Sequence, residues 1–74
     1  MPLEDALLDI LVCPIDKRGL LYFAGDALLY NPRLRRLYRI EDGVPLMLAH
    51  QAVPVSDEEH QHLLTREPTR VTAG

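Results

Sequence analysis

The sequence predicts an α+β fold: a small antiparallel β-sheet with an N-terminal helix and a short C-terminal helix. Three observations carry this reading. Leu3, Ala6, Leu7, Ile10 and Leu11 recur at three- and four-residue spacing, the period of a helix with one apolar face. Short apolar and aromatic runs flank Ala24-Gly25-Asp26 and Asp42-Gly43, which is hairpin punctuation. Ser56-Asp57-Glu58-Glu59 has the spacing of a capping box ahead of Leu63-Leu64, the start signal of a second helix.

In the first helix, Glu4, Asp5 and Asp9 fall on the solvent side, and the early acids suit the positive end of the helix dipole. The helix should stop before Cys13-Pro14, because a residue preceding proline is pushed out of the α region. Cys13 to Gly19 reads as a turn-rich connection, with Cys13 and Pro14 as structural turn residues. Leu20 to Phe23 and Ala27 to Tyr30 read as a hairpin around the tight turn 24–26, and Asn31-Pro32 breaks the second strand. A third strand, about Arg36 to Ile40, runs into Asp42-Gly43, where glycine takes φ > 0 without steric cost and aspartate bonds its own backbone. Pro45 has no N–H to donate, which assigns Val44 to Leu48 to a sheet edge. Residues 1–54 form the domain in this reading, and 55–74 a helix to about Leu64 followed by a disordered tail from Thr65.

At 74 residues the chain is one small domain, and 47 % hydrophobic with 26 % charged residues is a globular composition. A domain of this size buries only about 60 % of its unfolded surface, so stability is marginal unless something assists the fold. Cys13 is the single cysteine, which excludes an internal disulfide. The acidic start and the absence of a long apolar run predict a cytoplasmic chain with no membrane segment. A net charge of −3 argues against a polyanion partner.

Candidate chemistry is sparse. Cys13 with His50, His60 and His62 has the donor types for zinc, but His60-x-His62 is not the spacing that places two ligands on one helix face. A nucleophilic Cys13 would need a base and a lowered pKa; Lys17 and Arg18 are near, and no positioned histidine accompanies them. Asp5, Asp9, Asp16 and Asp26 read as caps and turn residues. Arg33, Arg35, Arg36 and Arg39 cluster between Tyr30 and Tyr38, a pattern used to hold single-stranded nucleic acid. No phosphate-binding glycine loop, dinucleotide fingerprint or Ser/His/Asp arrangement is present. The expected site therefore has no catalytic residues, no cofactor and no metal.

Leu7-Leu8-Asp9-Ile10-Leu11-Val12 running into Cys13-Pro14, followed later by Tyr38-x-Ile40-x-Asp42-Gly43-Val44-Pro45-Leu46-Met47-Leu48, resembles the short bacterial YcaR-like proteins. These are relatives of the small zinc-ribbon subunit that activates methyltransferases acting on tRNA, rRNA and release factors in eukaryotes and archaea. The resemblance covers roughly Leu3 to Ala49. It implies a small zinc-ribbon-like antiparallel sheet. Many family members carry two zinc knuckles, and these fall here on Cys13 and Asp16 and on Asn31 and Leu34, so only one of four positions keeps a thiol. A zinc ribbon without its zinc is the expectation, its tip held by an apolar cluster of Ile15, Leu28, Leu29, Leu34 and Leu37, with Asn31-Pro32 holding the second turn through proline's fixed φ and an Asn–backbone bond.

The resemblance implies a non-catalytic accessory subunit that binds a methyltransferase of the translation apparatus, the enzyme supplying the S-adenosylmethionine site and any RNA contact. Its partner-binding residues would be Tyr38, Ile40, Val44, Pro45, Leu46, Met47 and Leu48, acting through edge-strand addition and an apolar patch. Two other classes remain open: an RNA-binding ribbon using the four arginines, and a self-associating structural protein whose edge pairs with its own copy as a homodimer.

Overall fold

The protein is described by a computed structural model over residues 3–72. Helix α1 spans Asp5–Ile10, and the strands are β1 (Leu21–Phe23), β2 (Leu28–Asn31), β3 (Arg36–Glu41), β4 (Val44–Pro45) and β5 (Val53–Pro54). Helix α2 (Asp57–Thr65) and strand β6 (Arg70–Val71) complete the chain. All pairings are antiparallel, in the order β4-β3-β2-β1-β6, with β5 pairing the first half of β3. The result is a small α+β fold around a curled antiparallel sheet.

Local chemistry explains the turns. Asp42 and Gly43 both take positive φ, 51° and 76°, and Glu41 pairs with Val44 across them. This is the two-residue hairpin whose twist matches the flanking strands. Between β1 and β2 the chain makes a 3-10 turn over Ala24–Asp26, and left-handed Ala27 closes it with its N–H on the Ala24 carbonyl. The second strand thus begins at Leu28 and not at Ala27. Ser56 caps α2, its Oγ accepting the Glu59 N–H at 3.2 Å.

The sheet is covered on both sides, and alternation along the strands sorts the core into two clusters. One holds Leu20, Tyr22, Leu29 and Tyr38 against Leu3, Leu8 and Cys13. The other holds Phe23, Tyr30 and Leu37 against Leu63 of α2. On that second face His60 Nδ1 lies 2.5 Å from the Tyr30 hydroxyl, and Arg66 stacks over the Phe23 ring at 4.9 Å.

Two expectations are corrected here. Helix α1 is only six residues long, so Leu3 and Leu11 lie in extended flanks outside its periodicity. Its buried residue is Leu8, while Ala6 is exposed and Ile10 is 73 % exposed. The disordered tail is also overturned over residues 65–72, the rest of that expectation lying outside the described residues. β6 pairs with β1, Thr72 is buried, and Thr72 Oγ1 accepts the Leu20 N–H at 2.7 Å. Arg70 reaches both Asp5 and Asp9, tying β6 to α1. Nonlocal hydrogen bonds and ion pairs order a segment whose own composition is polar.

Candidate functional site

Two regions answer to the expected site: the tip formed by the loops after α1 and β2, and the β3–β4 end of the sheet.

At the tip, Cys13 is fully buried, with Sγ 3.2 Å from the Tyr38 hydroxyl and 3.4 Å from the Ile15 N–H that donates to it. Burial pushes the Cys13 thiol up, but hydrogen bonds from Tyr38, from the Asp16 and Ile15 amides and from Asn31 outweigh it, so the thiol lies below its ordinary value. Burial, with the Cys13 contact, drives the Tyr38 hydroxyl far up. Across from Cys13, Asn31 is also fully buried and works in two directions. Its Oδ1 accepts the N–H groups of Arg33 (2.9 Å) and Leu34 (3.2 Å), and its Nδ2 donates to Asp16 Oδ2 at 3.2 Å. Arg33 closes the ring with Nε on Asp16 Oδ2 at 2.7 Å and a guanidinium nitrogen on the Gly19 carbonyl at 2.9 Å. The Arg33 hydrogen bond holds the Asp16 carboxyl well below the usual carboxylate range.

The expected Asn31–backbone bond at the second turn is present, but the tip is held by a polar cross-link and not by the expected apolar cluster. Ile15 is 47 % and Leu34 36 % exposed, and Leu29 lies in a different cluster from Leu28 and Leu37. Branched apolar side chains cannot satisfy the turn amides, whereas one asparagine can. As donors for zinc the four positions do not fit: Leu34 has no ligating atom, Asn31 is engaged with three partners, and Asp16 is paired with Arg33. The histidines are not gathered there either, since His60 bonds Tyr30 in the cluster under α2, opposite the Cys13 cluster. Among the described residues no group of three or more His, Cys, Asp and Glu is placed to hold a metal ion. Metal analysis of the purified protein should find well under one zinc per chain, with melting unaffected by a chelator. A stoichiometric zinc lost together with stability would overturn this.

At the other end, the residues expected to meet a partner divide. Val44 is 59 % and Leu48 55 % exposed, while Ile40, Pro45, Leu46 and Met47 are half-buried, Ile40 and Met47 packing on the α1-side cluster. Tyr38 is fully buried and bonded to Cys13, so it belongs to the core and not to the docking surface. The first half of β3 is sealed by β5, and the rim there is β4. Pro45 presents no N–H, and its carbonyl accepts the Met47 N–H at 3.0 Å, so this rim is a poor template for an added strand. What it offers is side chains.

The arginine cluster is likewise dispersed. Arg33 pairs with Asp16, Arg35 with Asp57, and Arg36 donates to the carbonyls of Leu34 and Arg35, which leaves Arg39 exposed. Tyr30 and Tyr38, needed as stacking platforms, are both fully buried. The sequence pattern of arginines between aromatics thus joins two settings: Arg33 and Arg35 belong to the turn between β2 and β3, and Arg36 and Arg39 flank the buried pair Leu37 and Tyr38 in β3.

The chain is thus of the class of small two-faced α+β domains with an internally braced tip and an apolar rim. A family described as Trm112p-like protein matches residues 4–43. The chain is 46 % identical over 57 residues to a UPF0434 protein of Alcanivorax borkumensis, covering 77 % of this chain and 92 % of that one. A solution NMR structure of an uncharacterized BCR protein superposes with a TM-score of 0.64 at 43 % identity, covering 76 % of this chain and 92 % of that one. A tetraacyldisaccharide 4'-kinase of Verminephrobacter eiseniae is 38 % identical over 58 residues, which are 78 % of this chain but only 14 % of the kinase. The chain belongs to the Trm112p-like family, and membership points to a small accessory protein. Among the described residues no helix is long and apolar enough to cross a membrane.

Proposed function

We propose that this protein is a non-catalytic accessory subunit that binds an S-adenosylmethionine-dependent methyltransferase of the translation apparatus. The observation that carries the reading is the apolar rim: Val44 and Leu48 stand out from the end of the sheet beside half-buried Ile40, Leu46 and Met47. Exposed apolar side chains grouped in one stretch mark an interaction surface more than a solvent-facing edge does. The groups with displaced pKa values are spent internally, Asp16 on Arg33 and Cys13 on Tyr38, which supports a binding role over a chemical one. A methyltransferase docked here would gain a cover for its own apolar surface through side-chain contact, with little help from strand pairing.

The test is co-purification from the organism's own extract with Val44→Asp plus Leu48→Asp as the comparison. Both side chains are exposed, so the variant should fold, and partner recovery should fall by about tenfold or more. A methyltransferase recovered with the wild type and lost with the variant supports the reading; equal recovery from both removes the rim from it.

One observation favours a second reading. A segment like this chain lies within a tetraacyldisaccharide 4'-kinase, which makes such a kinase the second candidate client. If the same extract yields a lipid-disaccharide kinase in place of a methyltransferase, the accessory role stands and its client changes.

A further inference from the structure

The other end of the sheet carries a groove that the rim reading does not use. Leu21 lies opposite Val71 on one side and opposite Tyr30 on the other, so Leu21 and Val71 sit side by side on the α2 face of the sheet. Together with Pro32 they form the apolar floor of a groove of about 470 Å³, whose wall carries Lys17, Arg18 and Arg33. Arg33 is neutralised by Asp16, but among the described residues neither Lys17 nor Arg18 forms an ion pair, and no carboxylate lines the groove. On a chain with a net charge of −3 this is a local reversal of sign. Val71, 58 % exposed, belongs to β6, the last strand in the sheet order.

We infer that this groove is a docking site for an extended acidic segment of a protein partner, with apolar side chains alternating between its carboxylates. The carboxylates meet Lys17 and Arg18, the apolar side chains lie on Leu21, Pro32 and Val71, and the segment's main chain runs beside β6. Nucleic acid is the less suitable occupant. All four aromatic residues of the chain, Tyr22, Phe23, Tyr30 and Tyr38, are buried, so no ring is free to stack on a base. A lipid surface is flat, while this site is concave and floored by apolar side chains. The site stands apart from the methyltransferase reading, whose surface lies at the β4 end.

The experiment uses the full chain and a fluorescein-labelled peptide of alternating glutamate with valine and leucine, followed by anisotropy, with the lysine-for-glutamate peptide as its counterpart. The acidic peptide should bind and the basic one should not, and Lys17→Glu plus Arg18→Glu should weaken binding about tenfold or more. Amide shifts on titration should centre on Gly19, Leu21 and Val71. The two cations are exposed, so the variant should keep the wild-type amide spectrum away from the groove. Unchanged affinity in the variant, or no binding of the acidic peptide, overturns the inference. So does tighter binding of an oligouridine or of vesicles of equal parts phosphatidylcholine and phosphatidylglycerol.

Discussion

Replacing Asn31 with leucine should lower the melting temperature by roughly 10–20 °C, taking about 4–8 °C per kcal/mol for a domain of this size. The change keeps the volume close but removes three hydrogen bonds at a fully buried position. The N–H groups of Arg33 and Leu34 lose their acceptor, and Asp16 loses a donor. A polar group left without a partner costs about 1–3 kcal/mol, less where water can reach, and the flanking turn is only partly buried. Asp16→Asn serves as the graded comparison, because it keeps the side-chain shape while removing the charge that Arg33 answers. Its effect should be smaller than that of the leucine variant, since Asn31 Oδ1 still closes the turn. Melting of Asn31→Leu within a few degrees of wild type would mean the cross-link does not hold the tip.

The elements that sequence reading found are those whose cause is local. Asp42-Gly43 forms its hairpin turn from residues within four positions of one another, and the Ser56 cap reaches only to Glu59. The first three strands follow from alternation across short turns. What escaped are contacts whose partners lie far apart in the chain. β5 and β6 are two residues each, too short for any period, and exist because Leu37 and Leu21 offer them open strand edges. The ring at the tip joins Asp16 to Asn31 and Arg33 across two loops, and nothing in Asn31-Pro32 alone distinguishes a bridging asparagine from a turn asparagine. Tyr38 was legible as a strand residue, but not as a core residue, because both faces of the sheet are covered by elements distant in sequence and neither side of β3 at Leu37 and Tyr38 is left free for docking. The groove at Lys17, Arg18 and Val71 had no sequence signal, because its floor comes from three separate stretches of chain.

A chain ending at Pro68 should lose most of its cooperative unfolding, the largest effect expected from any change outside the core. The deletion removes the Thr69 N–H bond to the Tyr22 carbonyl at 2.7 Å and both Thr72 bonds to Leu20, at 2.7 and 2.8 Å. It also removes Arg70 from between Asp5 and Asp9, leaving the six-residue α1 held to the sheet by its apolar packing through Leu8 and by the Leu3 N–H bond to the Tyr22 hydroxyl. An isolated helix of that length has almost no stability in water, so α1 depends on its docking. β1 then becomes an edge, and fully buried Leu20 just ahead of it loses its cover on that side. Arg70→Ala separates the contributions, since it breaks only the ion pairs and the exposed bond to the Asp5 carbonyl while keeping the β6 main chain; its cost should be below about 1 kcal/mol. The measurement is amide exchange at Leu20 and Tyr22 in the full chain, the truncated chain and the Arg70 variant. Protection at those amides should vanish in the truncated chain and persist in the point variant. If the truncated chain keeps its protection, β6 contributes contacts without contributing stability, and the ordering of the C-terminal segment follows from the fold instead of sustaining it.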